Sequence, residues 1–149
     1  YGHCRTENGQ RIYDISMIYH RPITPEDCEQ QYKIVINFYD LVSHENLQTI
    51  SYIPPLGMDP GSIKCGLSIV DVNADGYDDF ILDLGLFGHV YHSACFVHSP
   101  GGTYAEVAGF DNLPYPEYDA NDGTFTVEEP GEFGYQKYLI IEDELLPAN

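Results

Sequence analysis

Hydrophobic side chains in this chain recur at every second position, in short runs that proline and glycine keep interrupting. In "IYDISMIYH" (12–20), Tyr13, Ile15, Met17 and Tyr19 fall on one face and Asp14 and Ser16 on the other. A two-residue period belongs to a strand with one buried face, not to a helix. The β-branched run "KIVINFYD" (33–40), the turn "LVSHEN" and the alternating "LQTISYI" (47–53) together read as a hairpin. "LSIV" (67–70) and "FILDLGL" (80–86) flank an acidic loop, and further strands are predicted at 91–98, 103–107, 124–128 and 135–142. Thirteen Tyr and seven Phe suit pleated, half-buried surfaces, while ten Pro and 14 Gly demand many turns.

One helical segment is predicted, over "TPEDCEQQ" (24–31), where Thr24 is the N-cap, Pro25 the first helical residue, and acids fill the first turn. "FDNLPYPEYDANDG" (110–123) is too interrupted for a strand and reads as a loop packed over a sheet edge. Eight or nine short strands with little helix predict an all-β fold, an antiparallel β-sandwich or a small propeller-like meander. At 149 residues the chain is most simply one domain, and no internal repeat of fixed period is visible.

The charge is lopsided, with 24 acids against six Lys and Arg and a formal net charge of −18. Nucleic acid is excluded as a natural partner, because phosphate binding rests on clustered Lys and Arg. Direct insertion into a membrane is not expected, and an anionic membrane surface would repel the chain. Cations and basic proteins fit it. Cys4, Cys28, Cys65 and Cys95 are widely spaced, with no CxxC pair of the zinc or redox kind. Such a set suits disulfides in an oxidising compartment, with three pairings open and buried free thiols as the alternative. The opening "YGHC" reads as a mature or truncated start, and the expectation is a secreted, periplasmic or envelope-associated protein with its export signal removed.

The acidic loop lies in "IVDVNADGYDDFILDLG" (69–85). Asp71, Asn73, Asp75, Gly76 and Asp79 occupy positions 1, 3, 5, 6 and 9 of a D-x-N-x-D-G-x-x-D pattern. A hard cation such as Ca²⁺ wants about six to eight oxygens at about 2.3–2.6 Å. Positions 1, 3 and 5 of a tight loop supply side-chain oxygens, the Tyr77 carbonyl supplies position 7, and Asp79 binds directly or through a water. Gly76 permits the sharp turn. An EF-hand needs a bidentate Glu at position 12, but this chain has Leu82 there, and "FILDL" continues as a strand. The expectation is a strand–loop–strand, EF-hand-like calcium site binding weakly, on the order of 10⁻⁴–10⁻³ M. Asp78 and Asp83 are expected to be solvated or to stand behind the ligands. The competing reading is an acidic turn without metal, in which crowded carboxylates repel one another. "DANDG" (119–123) echoes the pattern, but its Gly comes at position 5 and it reads as a turn.

Catalytic patterns are missing. There is no H-E-x-x-H, no G-x-S-x-G and no P-loop, and acids are too abundant for any pair to single out a glycosidase. His89, His92 and His98 do not converge on one face, and Cys95 sits in an apolar strand run, "SACFVH". A non-catalytic protein is expected.

"INFYDLVSHENLQTI" (36–50) together with "IVDVNADGYDDFILDL" (69–84) resembles a bacterial family of calcium-loop envelope proteins. The family is related to periplasmic lysozyme inhibitors and includes immunity proteins against peptidoglycan-hydrolase effectors of type IV secretion systems. The likeness spans about residues 33–142, leaving residues 1–32 as an N-terminal strand and short helical segment. It implies that a loop after the calcium hairpin plugs the cleft of a cell-wall hydrolase, often through an S-G-x-x-Y pattern. The matching positions are Phe87, Gly88, His89, Val90 and Tyr91, with Phe standing where Ser is common. An alternative match is Ser99, Gly101, Gly102 and Tyr104 in "SPGGTY", one residue longer from the Ser. A second functional reading is a calcium-dependent adhesion or glycan- and protein-binding module of the integrin-like repeat kind, although the motif occurs only once in full.

Overall fold

A computed structural model describes residues 2–6, 9–20, 31–54, 58–59, 63, 66–128 and 134–148 of the chain. The fold is all-β and its sheets are antiparallel; the helical content among the described residues is a single 3-10 turn, Phe110–Asn112. No helix there is long and apolar enough to cross a membrane. The helix expected over 24–31 lies outside the described residues, except that Gln31 already belongs to a strand. The chain forms two compact units, Tyr1–Met58 and Asp59–Asn149.

The first unit is a four-stranded meander of β1 (Gly2–Thr6), β2 (Gly9–His20), β3 (Gln31–Asp40) and β4 (Asn46–Tyr52), paired in sequence order. Along β3 the two-residue period becomes burial: Tyr32, Ile34, Ile36 and Phe38 are buried while the residues between them are only partly covered. The β3–β4 hairpin is closed by Asp40, whose Oδ1 accepts the N–H groups of Val42 (2.9 Å) and Ser43 (2.7 Å). That Asx-type closure is the reason "YDLVSHEN" turns where it does. A two-residue strand, β5 (Met58–Asp59), lies at the boundary of the units.

The second unit contains two sheets. One pairs β6 (Leu67–Val70) with β7 (Asp79–Phe87), β7 with β8 (Val90–Ser99), and β8 with β9 (Thr103–Glu106). The other is a meander of β10 (Glu117–Asp119), β11 (Thr124–Glu128), β12 (Tyr135–Ile141) and β13 (Glu144–Ala148). Val72, Cys95, Val97, Val107, Phe110, Leu113, Phe125, Val127 and Ile140 form one buried cluster with contributions from both sheets. Phe110 meets Phe125 edge-on at 4.9 Å. Truncating either ring to Ala leaves a cavity and costs about 3–5 kcal/mol.

The segment 107–115 does cover a sheet edge. β9 pairs with β8 only over Phe96–Ser99, and beyond it the Val107 N–H donates to the Cys95 carbonyl (2.9 Å) and the Tyr115 N–H to the Tyr91 carbonyl (3.1 Å). Covering an exposed edge in this way removes a template for unwanted strand pairing. The short strand β10 within 110–123 had no period to announce it.

The disulfide expectation is corrected where it can be seen. Cys4 and Cys95 are buried thiols. Cys95 is fully enclosed in the apolar cluster, and burial pushes its thiol far up, with the nearby Asp79 charge adding to the effect. Cys28 and Cys65 lie outside the described residues.

Candidate functional site

The loop between β6 and β7 starts at Asp71 and ends at Asp79, the first residue of β7. Left-handed backbone at Ala74 (φ 58°) and Gly76 (φ 89°) curls it tightly, and glycine takes that conformation without strain where Ala does not. The curl turns backbone N–H groups onto side-chain oxygens. Asp75 N–H donates to Asp71 Oδ1 (3.2 Å), Gly76 N–H to Asp71 Oδ2 (2.9 Å), and Tyr77 N–H to Asp75 Oδ1 (2.9 Å). One carboxylate oxygen from each of Asp71, Asp75 and Asp79 falls within 4.8 Å of the others. Among the described residues this is the one group of three or more His, Cys, Asp or Glu side chains close enough to share a cation.

Asn73 adds a fourth oxygen position and a conflict. One end of its amide lies 3.4 Å from the Glu142 carbonyl oxygen in the β12–β13 turn. The other end lies 3.2 Å from Asp71 Oδ1 and 3.3 Å from Asp75 Oδ1, with the Asp75 N–H also at 3.3 Å. Acceptors therefore stand on both sides of a group that has a single nitrogen. With nitrogen towards Glu142, the amide oxygen abuts two carboxylates. With nitrogen towards the carboxylates, oxygen abuts a carbonyl.

Asp79 differs from its neighbours. It is fully buried, its Oδ2 accepts the Val72 N–H and its Oδ1 the His98 N–H, both at 2.8 Å. Burial pushes its carboxyl up to about 7, against the two hydrogen bonds and with a smaller push from the Asp75 and Asp71 charges. It is a tie between the loop and β8 as much as a free oxygen donor. Leu82, at the twelfth position, is completely buried in β7 and offers no oxygen.

Three contacts from far along the chain hold the loop. Tyr118 Oη donates to the Asp71 carbonyl (3.0 Å), Tyr104 Oη to the Asp78 carbonyl (3.0 Å), and Asn73 reaches Glu142. The Tyr77 ring packs on the buried His98 ring at 4.6 Å. None of Tyr118, Tyr104 or Glu142 stands out in sequence as a loop partner, since the pairs are 26 to 69 residues apart. Asp83 is half-buried and accepts the Gly85 N–H (2.8 Å), fixing the bulge in β7. Asp119 and Asp122 in "DANDG" bond within their own hairpin turn, and Asp122 also pairs with Lys137 at 2.6 Å. That is the turn reading of this segment.

Phe87, Gly88, His89, Val90 and Tyr91 form the tip of the β7–β8 hairpin. Phe87 pairs with Val90 around a two-residue turn in which Gly88 has φ 63°, the pattern of a type II′ turn with Gly first. Phe87 is half-exposed, whereas Tyr91 is partly covered and meets Tyr115 edge-on at 5.3 Å. The alternative segment, Ser99, Gly101, Gly102 and Tyr104, forms the β8–β9 turn, but Tyr104 points inward. It is buried edge-on against Phe80 (4.7 Å), so this turn has no aromatic tip to present. His89 sits on the first hairpin turn, His92 Nδ1 lies 2.9 Å from the Asp111 carbonyl, and His98 is buried beside Tyr77; the three share no site. Comparisons with protein-family models, with curated proteins and with solved structures found no match to this chain.

Proposed function

We propose that this chain is a non-catalytic calcium-binding protein of the bacterial envelope that inhibits a peptidoglycan hydrolase or lysozyme-like enzyme through its β7–β8 hairpin. The observation that carries the calcium half is the Asn73 amide, with acceptors on both sides. A cation among Asp71, Asn73 and Asp75 favours one orientation, with the amide oxygen to the metal and the nitrogen to Glu142, whereas without metal the nitrogen turns to the Asp71 and Asp75 carboxylates. Asp79 brings a carboxylate oxygen within 4.8 Å of those of Asp71 and Asp75, the loop pattern assigns the Tyr77 carbonyl to the seventh position, and the buried Leu82 argues for weak binding.

The inhibitor half follows from what the metal loop would steady. β7 begins at Asp79 and ends at Phe87, so loop and tip are the two ends of one strand about 27 Å long. Bracing one end limits how the hairpin can splay, which lowers the ordering cost of inserting its tip into a cleft. The acidic chain suits a basic enzyme and speeds its capture.

The test is inhibition of a panel of purified peptidoglycan hydrolases with and without calcium, together with calorimetric titration of calcium itself. Phe87→Ala should weaken inhibition at least tenfold while leaving calcium-dependent stability unchanged. Silence against every hydrolase would remove the inhibitor reading, and an absence of calcium heat would remove the metal.

A further inference from the structure

We infer that the partner-binding surface is built from two chain segments, with Tyr115 as its third aromatic anchor beside Phe87 and Tyr91, and that its partner is a basic protein. This rests on the proposed function and extends it to a residue outside the β7–β8 hairpin.

Tyr115 is held in an unfavourable backbone conformation. Its φ is 44°, in the left-handed region, although it has a bulky side chain and stands between Pro114 and Pro116. A residue before proline is driven towards extended backbone, so two local preferences are overridden at once. Strain of this kind persists only where the surroundings enforce it, and it concentrates at functional positions. The enforcing bonds are visible. Tyr115 N–H donates to the Tyr91 carbonyl at 3.1 Å, and a few residues earlier the Asp111 carbonyl meets His92 Nδ1 at 2.9 Å.

The strained backbone does not place the ring in the core. Tyr115 is 49% exposed and Phe87 50%, while the Tyr115 ring leans edge-on against Tyr91. Phe87 in turn lies edge-on to His92 at 6.2 Å. Large aromatics that are pre-set by prolines and by each other lose little entropy when a partner covers them, which is the character of interface anchors.

Charge decides the kind of partner. Positions 59–149 hold seventeen of the 24 acids and, of the six Lys and Arg, only Lys64 and Lys137, the latter engaged with Asp122. Asp111 and Glu117 bracket Tyr115 in the chain. Exposed aromatic rings on so acidic a chain favour Arg and Lys side chains, which stack on the rings and are drawn by the surrounding negative charge.

The experiment measures binding and inhibition of a panel of basic, purified lysozyme-like hydrolases by the full chain, at low and high salt. The variants are Tyr91→Ala, Tyr115→Ala, the double variant and Tyr115→Gly, each with its melting temperature, and soluble peptidoglycan fragments serve as a second probe. The expected result is at least a tenfold loss of affinity for Tyr115→Ala, a double variant no more than a few-fold worse than the worse single, salt-weakened binding, and a Tyr115→Gly protein at least as stable as the parent. Inhibition that survives Tyr115→Ala overturns this inference and leaves the proposed function standing. Loss of stability in Tyr115→Gly comparable to a core truncation overturns it too, by making the ring structural. Binding to the glycan fragments but to no hydrolase, or to neither probe, overturns both readings.

Discussion

The carboxylate of Asp79 accepts the backbone N–H of His98 at 2.8 Å, joining the acidic loop to the middle sheet strand β8 through a fully buried side chain. Its other oxygen closes the loop on itself at Val72. Removing the carboxylate leaves two buried N–H groups without acceptors, each worth about 1–3 kcal/mol of desolvation penalty. Asp79→Ala should therefore lower stability by about 2–5 kcal/mol in denaturant unfolding, and Asp79→Asn, which keeps one acceptor oxygen, should fall between. An Asp79→Ala protein as stable as the parent would show that these bonds contribute nothing.

The same burial gives Asp79 an unusual pH signature. Its folded carboxyl is pushed up to about 7, whereas in the unfolded chain an Asp titrates near 4. Between those values the folded protein holds a proton that the unfolded chain has released. Stability is then complete in acid and declines as pH rises through the window, by on the order of 4 kcal/mol for a single proton. Burial raises Glu106 in the same direction. Asp40 and Asp122 act oppositely, being lowered by hydrogen bonds from Ser43 and from Lys137, and they weaken the fold only as pH drops towards about 2 for Asp122. With a chelator present, the melting temperature should fall between about pH 4.5 and 7.5, and Asp79→Asn should flatten the fall. A melting temperature that rises over that range would contradict the assignment.

How much of this was legible beforehand follows the range of the interactions. The β3 period, the Asp40 turn and the D-x-N-x-D-G loop are local, and local rules locate them to within two residues. The strands β1, β10 and β13 escaped because "GHCRT", "EYD" and "ELLPA" hold no alternating apolar run, and Pro147 interrupts the last of them. Tyr118, Glu142 and Tyr115 escaped for a different reason. Each acts on a residue from a different sheet or loop brought near by tertiary packing, and nothing in "PYPEYD" or "IIEDEL" declares the target. The Asp79 tie was half visible: the motif named the residue as an oxygen donor, while its burial depends on β8 lying alongside.

Glu142 offers a test of the outer brace. It occupies a two-residue turn between Ile141 and Glu144 with φ 56°, a conformation costing a non-glycine residue about 1–2 kcal/mol. Glycine removes that cost but adds about 0.4–1 kcal/mol of unfolded-chain entropy. Glu142→Gly should leave stability unchanged or raise it by up to about 1 kcal/mol, while Glu142→Pro, which cannot take a positive φ, should lower it and weaken the calcium response by displacing the carbonyl that meets Asn73. Equal melting temperatures for the two variants would show that this turn does not hold the conformation described.

The sharpest separation of metal site from acidic turn lies at Asn73. If calcium binds at about 10⁻⁴–10⁻³ M, about 10 mM of it should stabilise the parent by about 1.4–2.7 kcal/mol. Asn73→Ala removes an oxygen from the loop and the donor to Glu142, so the calcium-induced rise in melting temperature should shrink or vanish. Asn73→Asp acts in two directions. Without calcium it adds a third charge beside Asp71 and Asp75 and faces the Glu142 carbonyl with an acceptor, so the melting temperature should fall below that of the parent. With calcium, the extra carboxylate is a stronger ligand, and the gap between metal-free and metal-bound melting temperatures should widen beyond the parent's. An acidic turn that binds no metal predicts no calcium response in any of the three proteins, and a response of equal size in all three would move the cation away from Asn73.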